Sequence, residues 1–275
     1  MTITETTTGQ RIVYLIRHGE KNPSTVAVDP NQLTESGRRG ALVYGAQLRS
    51  TPTLEVYCST DAEGRPVDRS HDTGWYIHAG YAGLDYDAAN QLFRSDSAER
   101  AQFVPGLEER LQQRVPQRIL DEYKAKKITR AEAMEQCYRM LAANAADVDP
   151  AERALMLHGA QSYLAAVIYH IIGRSHPEIK QQDPSHAIVL VGHDPNIGGL
   201  QQHLEPDAPL TELAPLQGIA VVRRFYDTIQ HSTYGIIQYS FGKNVEPLGF
   251  LYSGLKGKGY FRHHPLDGSN IRRVL

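Results

Sequence analysis

Arg17 and His18 close the apolar run Ile12–Ile16 and open a short polar stretch, Gly19-Glu20-Lys21-Asn22-Pro23. A second imidazole stands beside a carboxylate at His193-Asp194, again just after an apolar run, Ala187–Val191. Between them in the chain lies Arg69, in Arg69-Ser70-His71-Asp72-Thr73-Gly74. Brought together, Arg17, Arg69, Lys21, His18 and His193 would make a local cationic pocket. The planar fork of arginine matches the oxygens of a phosphoryl group two at a time. A neutral imidazole is a nucleophile able to form a covalent intermediate, and a neighbouring carboxylic acid can protonate a leaving group. Phosphoryl transfer asks mostly for positioning and charge stabilisation, which such a pocket supplies.

These residues need elements that end in one place. Arg11–Ile16 reads as a buried strand, being short, β-branched and bounded by glycine. A helix is expected from about Thr34, a good N-cap, through residue 50. Residues 55–59 read as a second strand and 70–81 as a helix. From about Ala88 to Gly173 strand signals vanish. Pro105 and Pro116 should kink or split the helical pattern there. Thr129 and Glu132 have capping-box spacing. Asp149-Pro150 opens a helix running to about Ile172, with Gly173 as its stop. Strands return at 186–193, 218–226 and 234–242, the last two close enough for antiparallel pairing.

The order predicts an α/β three-layer sandwich: a mostly parallel sheet, helices on both faces and a helical cap insertion. The expected divisions are a disordered tail at 1–10, a core at 11–87 and 174–255, a helical cap at 88–173 and a basic tail at 256–275. Ligands of such sheets bind beyond the carboxyl ends of the strands, where Arg17-His18 and His193-Asp194 fall.

Composition narrows the classes. The chain has 275 residues, 41% hydrophobic and 22% charged, with a formal net charge of -2. That balance advertises neither nucleic acid nor membrane as a partner, so anion recognition must be local. Cys58 and Cys137 are too few for a disulfide framework, and no run reaches the roughly 18 apolar residues of a membrane span. The polar N-terminus lacks a secretory signal core, and a cytoplasmic location is expected. No phosphate-binding Gly-rich fingerprint and no dedicated metal-ligand spacing is present.

Arg17-His18-Gly19-Glu20-Lys21-Asn22-Pro23 resembles the signature of the histidine phosphatase superfamily, closest to its acid phosphatase and phytase branch. His193-Asp194-Pro195-Asn196 is similar to that branch's H-D-x-N element. Leu33–Gly37, Arg69–Gly74 and Leu157–Leu164 resemble further segments, in family order. The resemblance implies a phosphomonoesterase in which His18 becomes phosphohistidine. Arg17, Arg69 and His193 would grip the phosphate, Asp194 would protonate the leaving oxygen, and no metal or organic cofactor is implied. Lys21 stands where that branch has arginine. It keeps a charge for phosphate binding and loses the fork.

Several readings sit beside this one. Glu20 is an alternative acid, since another branch takes its acid from a glutamate. Asn196 is either a turn residue or a holder of the acid, and His158 either packs or touches substrate. Pro195 is expected to keep the backbone of Asp194 out of a helix. The substrate expected is a small phosphorylated metabolite of the sugar or inositol phosphate class. The alternatives are a phosphomutase or repurposed biosynthetic enzyme of the same fold, and a phospholigand-binding module without turnover.

Overall fold

The structure, a computed structural model, describes residues 6–22, 32–59, 68–94, 115–141, 147–172, 186–204, 213–227, 233–241, 249–253 and 263–264. In chain order the elements are β1 (Thr6–Arg17), α1 (Glu35–Gln47), a 3₁₀ turn (Leu48–Ser50), β2 (Thr53–Cys58), α2 (Asp68–Ala82) and α3 (Tyr86–Arg94). Then come α4 (Gln117–Lys124), α5 (Arg130–Leu141), α6 (Pro150–Ile172), β3 (His186–Gly192) and α7 (Asp194–Leu204). The chain finishes with β4 (Gly218–Asp227), β5 (Thr233–Phe241), β6 (Gly249–Ser253) and β7 (His263–His264).

The strands form one sheet in the order β2-β3-β1-β4-β5-β6-β7. β2, β3 and β1 run parallel, and the pairs from β1–β4 outward are antiparallel. The sheet is therefore mixed rather than mostly parallel. β3 is buried on both faces from Ala187 to Gly192, and β1 is buried at Val13 and from Leu15 to Arg17 with Ile12 and Tyr14 half-buried, but apolar runs do not encode which neighbour they take or in which direction. The antiparallel pairing of the 218–227 and 233–241 strands is as the short link between them implies.

Alternation along the strands builds three layers. Tyr14 and Ile16 join Val56, Cys58, Val189 and Val191 on one face, where Ala41 of α1 and Trp75, Tyr76 and Ile77 of α2 cover them. α3 extends this core through Ala89, Leu92 and Phe93. On the opposite face α6 and α7 pack against β1 and β4. There Tyr163 lies so close to Gly192 that a Cβ on the glycine would stand 2.4 Å from the Tyr163 ring. A second, smaller core lies off the sheet, where Ile119 of α4 and Cys137, Met140 and Leu141 of α5 meet Met156 and Ala160 of α6.

The caps follow from local chemistry. The Thr34 hydroxyl accepts from the Gly37 N–H at 2.9 Å and starts α1. Glu132 folds back onto the N–H and hydroxyl of Thr129, while Thr129 Oγ1 accepts from Glu132 N, a complete capping box for α5. Asp149 Oδ1 accepts from the N–H groups of Ala151 and Glu152 and starts α6. Pro116 opens α4, while Pro105 and Gly173 lie outside the described residues.

Three expectations need correcting. The strand starts at Thr6, inside the stretch expected as a tail, because residues 6–10 continue the pairing with β4. α6 is not a cap helix throughout: its later half is a layer of the sandwich, its apolar Tyr163 side being taken up by the sheet. His263-His264 of the basic tail forms β7 against β6, and the rest of 254–275 lies outside the described residues. Cys58 and Cys137 are both buried free thiols. Among the described residues, no helix is long and apolar enough to cross a membrane.

Candidate active site

Register assembles the site. The parallel pairing of β1 with β3 sets Arg17 opposite Gly192, so the next residues, His18 and His193, leave the sheet side by side. The His18 N–H donates to Gly192 O at 3.1 Å, which carries the pairing one residue past the strand end. The two imidazole rings stand 5.3 Å apart, centre to centre, edge to face. Arg69 arrives from the first turn of α2, with its Nη2 3.5 Å from His193 Nδ1. The chain after His18 is pressed onto the start of α1: a Cβ on Gly37 would stand 2.2 Å from Glu20 O. The Gly19 N–H donates to Thr73 Oγ1 at 2.9 Å, and Thr73 Oγ1 donates to Arg69 O at 2.7 Å. β1, α1 and α2 are thus tied together directly beneath His18.

His18 is buried, and its Nδ1 lies 2.7 Å from Gly19 O. A carbonyl oxygen only accepts, so Nδ1 carries the proton and Nε2 carries the lone pair. Burial, with Arg69, Arg17 and Lys21 nearby, holds the His18 pKa well below the usual imidazole value. The ring is therefore neutral, the state a nucleophile needs. His193 is depressed in the same direction by burial, Arg69, His18, Lys21 and Arg17. Its Nε2 meets Ser59 Oγ at 2.9 Å, with Ser70 Oγ 3.4 Å away, and its N–H donates to the Tyr163 hydroxyl at 3.1 Å.

Asp194 is held on several sides. Tyr138 OH donates to Oδ1 at 2.7 Å and Leu213 N to Oδ2 at 3.0 Å, and Arg17 Nη1 stands 3.5 Å from Oδ2. The same Nη1 donates to Leu213 O. Contrary to the expectation from Pro195, Asp194 is the first residue of α7 and Pro195 sits in its first turn. Proline is tolerated there because first-turn N–H groups have no partner within the helix.

Arg17, His18, Lys21, Arg69, His193 and Asp194 all line one cavity of about 140 Å³. A wider cavity of about 550 Å³ adjoins it and shares Arg17, His18, Lys21, Tyr123 and Arg130. Burial, with Arg69, Arg130 and Arg17 nearby, lowers the Lys21 pKa to about 8. Glu20 lines only the wider cavity, and its carboxylate accepts from the Thr34 hydroxyl at 3.0 Å. Asn196 is buried in the first turn of α7 and lines neither cavity. His158 is exposed on α6 and lines neither of them. Arg65, a second arginine close to Arg69 in the chain, lies outside the described residues.

Sequence reasoning missed Ser59, Ser70, Thr73, Tyr138 and Tyr163. Ser59 and Ser70 sit where β2 ends and α2 begins, a signal that strand ends alone could have given. Tyr138 had no local signal, since its partner lies on a different helix. No protein-family model matches the chain, and no curated protein matches it. Solved structures similar to it include a mycobacterial glucosyl-3-phosphoglycerate phosphatase, 14% identical over 80% of this chain and 97% of that one, with a TM-score of 0.44. A phosphoglycerate mutase from Bacillus anthracis is 14% identical over 78% and 88%, with a TM-score of 0.40. A phytase from Hafnia alvei is 14% identical over 90% and 85%, with a TM-score of 0.38.

Proposed function

We propose that the chain is a metal-independent phosphomonoesterase of the histidine phosphatase kind. The observation that carries this reading is a neutral His18 whose Nε2 is left as a lone pair, within a cavity that also presents Arg17, Arg69, Lys21, His193 and Asp194. Arg17, Arg69 and Lys21 neutralise the phosphoryl oxygens, and the N-terminal turn of α2 adds its dipole. His18 Nε2 attacks phosphorus as the ester P–O bond breaks. Asp194, which must enter this step in its protonated form, gives its proton to the departing oxygen. Water then attacks the phosphohistidine, gives its proton to Asp194, and breaks the P–N bond to release phosphate. Asp194 is preferred to Glu20 as the acid because it shares the narrower cavity with His18, whereas Glu20 does not.

The test is hydrolysis of an aryl phosphate from acid to neutral pH in excess chelator, with His18→Ala as control. Turnover that survives chelator and falls at least ~10⁴-fold in the variant supports the reading. A folded protein that labels on His18 but does not release phosphate points to a mutase or to a repurposed biosynthetic enzyme. A folded protein that binds phosphate without labelling is a binding module.

A further inference from the structure

The cavity has two unlike halves. Its floor is the cationic group already described. The rest of its lining comes from α4 and α5, through Ile119, Leu120, Ala133, Met134 and Cys137, with Val115 just before α4. The wall residues of α5 follow helical spacing: Arg130, Ala133, Met134 and Cys137 recur at i, i+3, i+4 and i+7, one face turned to the cavity. That face is backed by the second core, in which Ile119 and Cys137 are buried, so the wall is built rather than a chance exposure. Tyr123 and Arg130 are the polar exceptions among the described wall residues, and both also line the wider cavity.

From this juxtaposition we infer that the site takes a phosphomonoester whose leaving group is apolar, of aryl or short alkyl character, rather than a sugar or inositol. The inference rests on the phosphomonoesterase reading and specifies its substrate class. A polyhydroxylated leaving group would lay several hydroxyls against Leu120, Ala133 and Met134. Each hydroxyl would give up its hydrogen bonds to water without replacement, which is unfavourable. An apolar group there instead removes carbon surface from water on both sides. The charged phosphoryl group and the apolar body would lie on the unlike halves of one cavity, a division that fixes the substrate's orientation before reaction.

Calorimetric titration of the full chain with three non-hydrolysable ligands tests this: methylphosphonate, benzylphosphonate and the phosphonate analogue of glucose 6-phosphate. Benzylphosphonate should bind at least tenfold more tightly than methylphosphonate, and the sugar phosphonate no more tightly than methylphosphonate. Met134→Gln should erase most of the benzyl advantage while methylphosphonate binds as before. Circular dichroism and methylphosphonate binding together report that the variant is folded with its anion site intact. If Met134→Gln does not fold, Leu120→Asn takes its place in the same comparison. Equal binding of all three phosphonates, or tightest binding of the sugar phosphonate, overturns the inference and leaves the phosphomonoesterase reading standing. Failure of every phosphonate to bind overturns that reading and the inference with it.

Discussion

Lys21 is the residue whose charge is easiest to switch. Its ammonium is cationic below about pH 8 and neutral above. Anion affinity should therefore fall as pH rises through 8. Because kcat/KM reports the free enzyme, it should drop above about pH 8, while kcat holds further into base, since a bound phosphoryl group keeps the ammonium protonated. Lys21→Arg should extend kcat/KM to higher pH, and Lys21→Met should lower it roughly tenfold near neutrality and flatten that limb. The same shift acts on stability with a definite sign. The unfolded chain binds this proton up to pH about 10.4, so between about 8 and 10.4 it holds more protons than the fold, and stability rises with pH there. Ser59 works through His193. Ser59→Ala removes the 2.9 Å partner of a buried ring nitrogen, and kcat/KM should fall about tenfold, a loss of about 1–2 kcal/mol. The pH profile should shift with it, which a purely structural loss would not do. At this scale the sequence was informative where a polar pair ended an apolar run, as at Arg17-His18 and His193-Asp194. It was silent about Tyr138, which finds Asp194 across 56 positions with no periodicity linking them.

At the scale of elements, α1 and α2 meet through glycines. A Cβ on Gly45 would stand 1.8 Å from Ile77 O, and one on Gly80 2.0 Å from Leu42 O. These helices also carry Thr34 and Arg69, so their spacing is a property of the site as well as of the core. Gly45→Ala should force them apart at a cost of about 1–3 kcal/mol, less the gain in helix propensity. The expected fall in Tm is about 2–10 °C, read by thermal unfolding. An unchanged Tm would show that the helices have room to spare. Helix and strand positions were legible because caps and periodicity are local: Thr34, Thr129 and Asp149 each start a helix with their own oxygen. The seat of α6 was not. A long helical stretch reads alike whether the sheet or the cap takes its apolar side, and only the packing of Tyr163 on Gly192 decides.

At the scale of the whole molecule, the site concentrates like charge. Arg17, Arg69, Lys21 and Arg130 all line one cavity in a chain whose formal net charge is -2. An anion that binds there stabilises the fold by mass action. At phosphate one hundred times its Kd the gain is about 2.7 kcal/mol, which should raise Tm by roughly 5–10 °C. Chloride at the same ionic strength should not reproduce the shift, and Arg69→Ala should reduce it. The α/β class followed from element order, whereas the mixed sheet did not, because the position of β4 between β1 and β5 depends on pairings made far along the chain. That placement bears on how the protein is made. β1 takes both neighbours, β3 and β4, from residues beyond 185. At ribosomal speeds of roughly 5–20 residues per second, this apolar strand waits on the order of ten to thirty seconds for its partners. During synthesis, the strand that ends in His18 therefore stays without its sheet partners until the second imidazole, His193, has been translated.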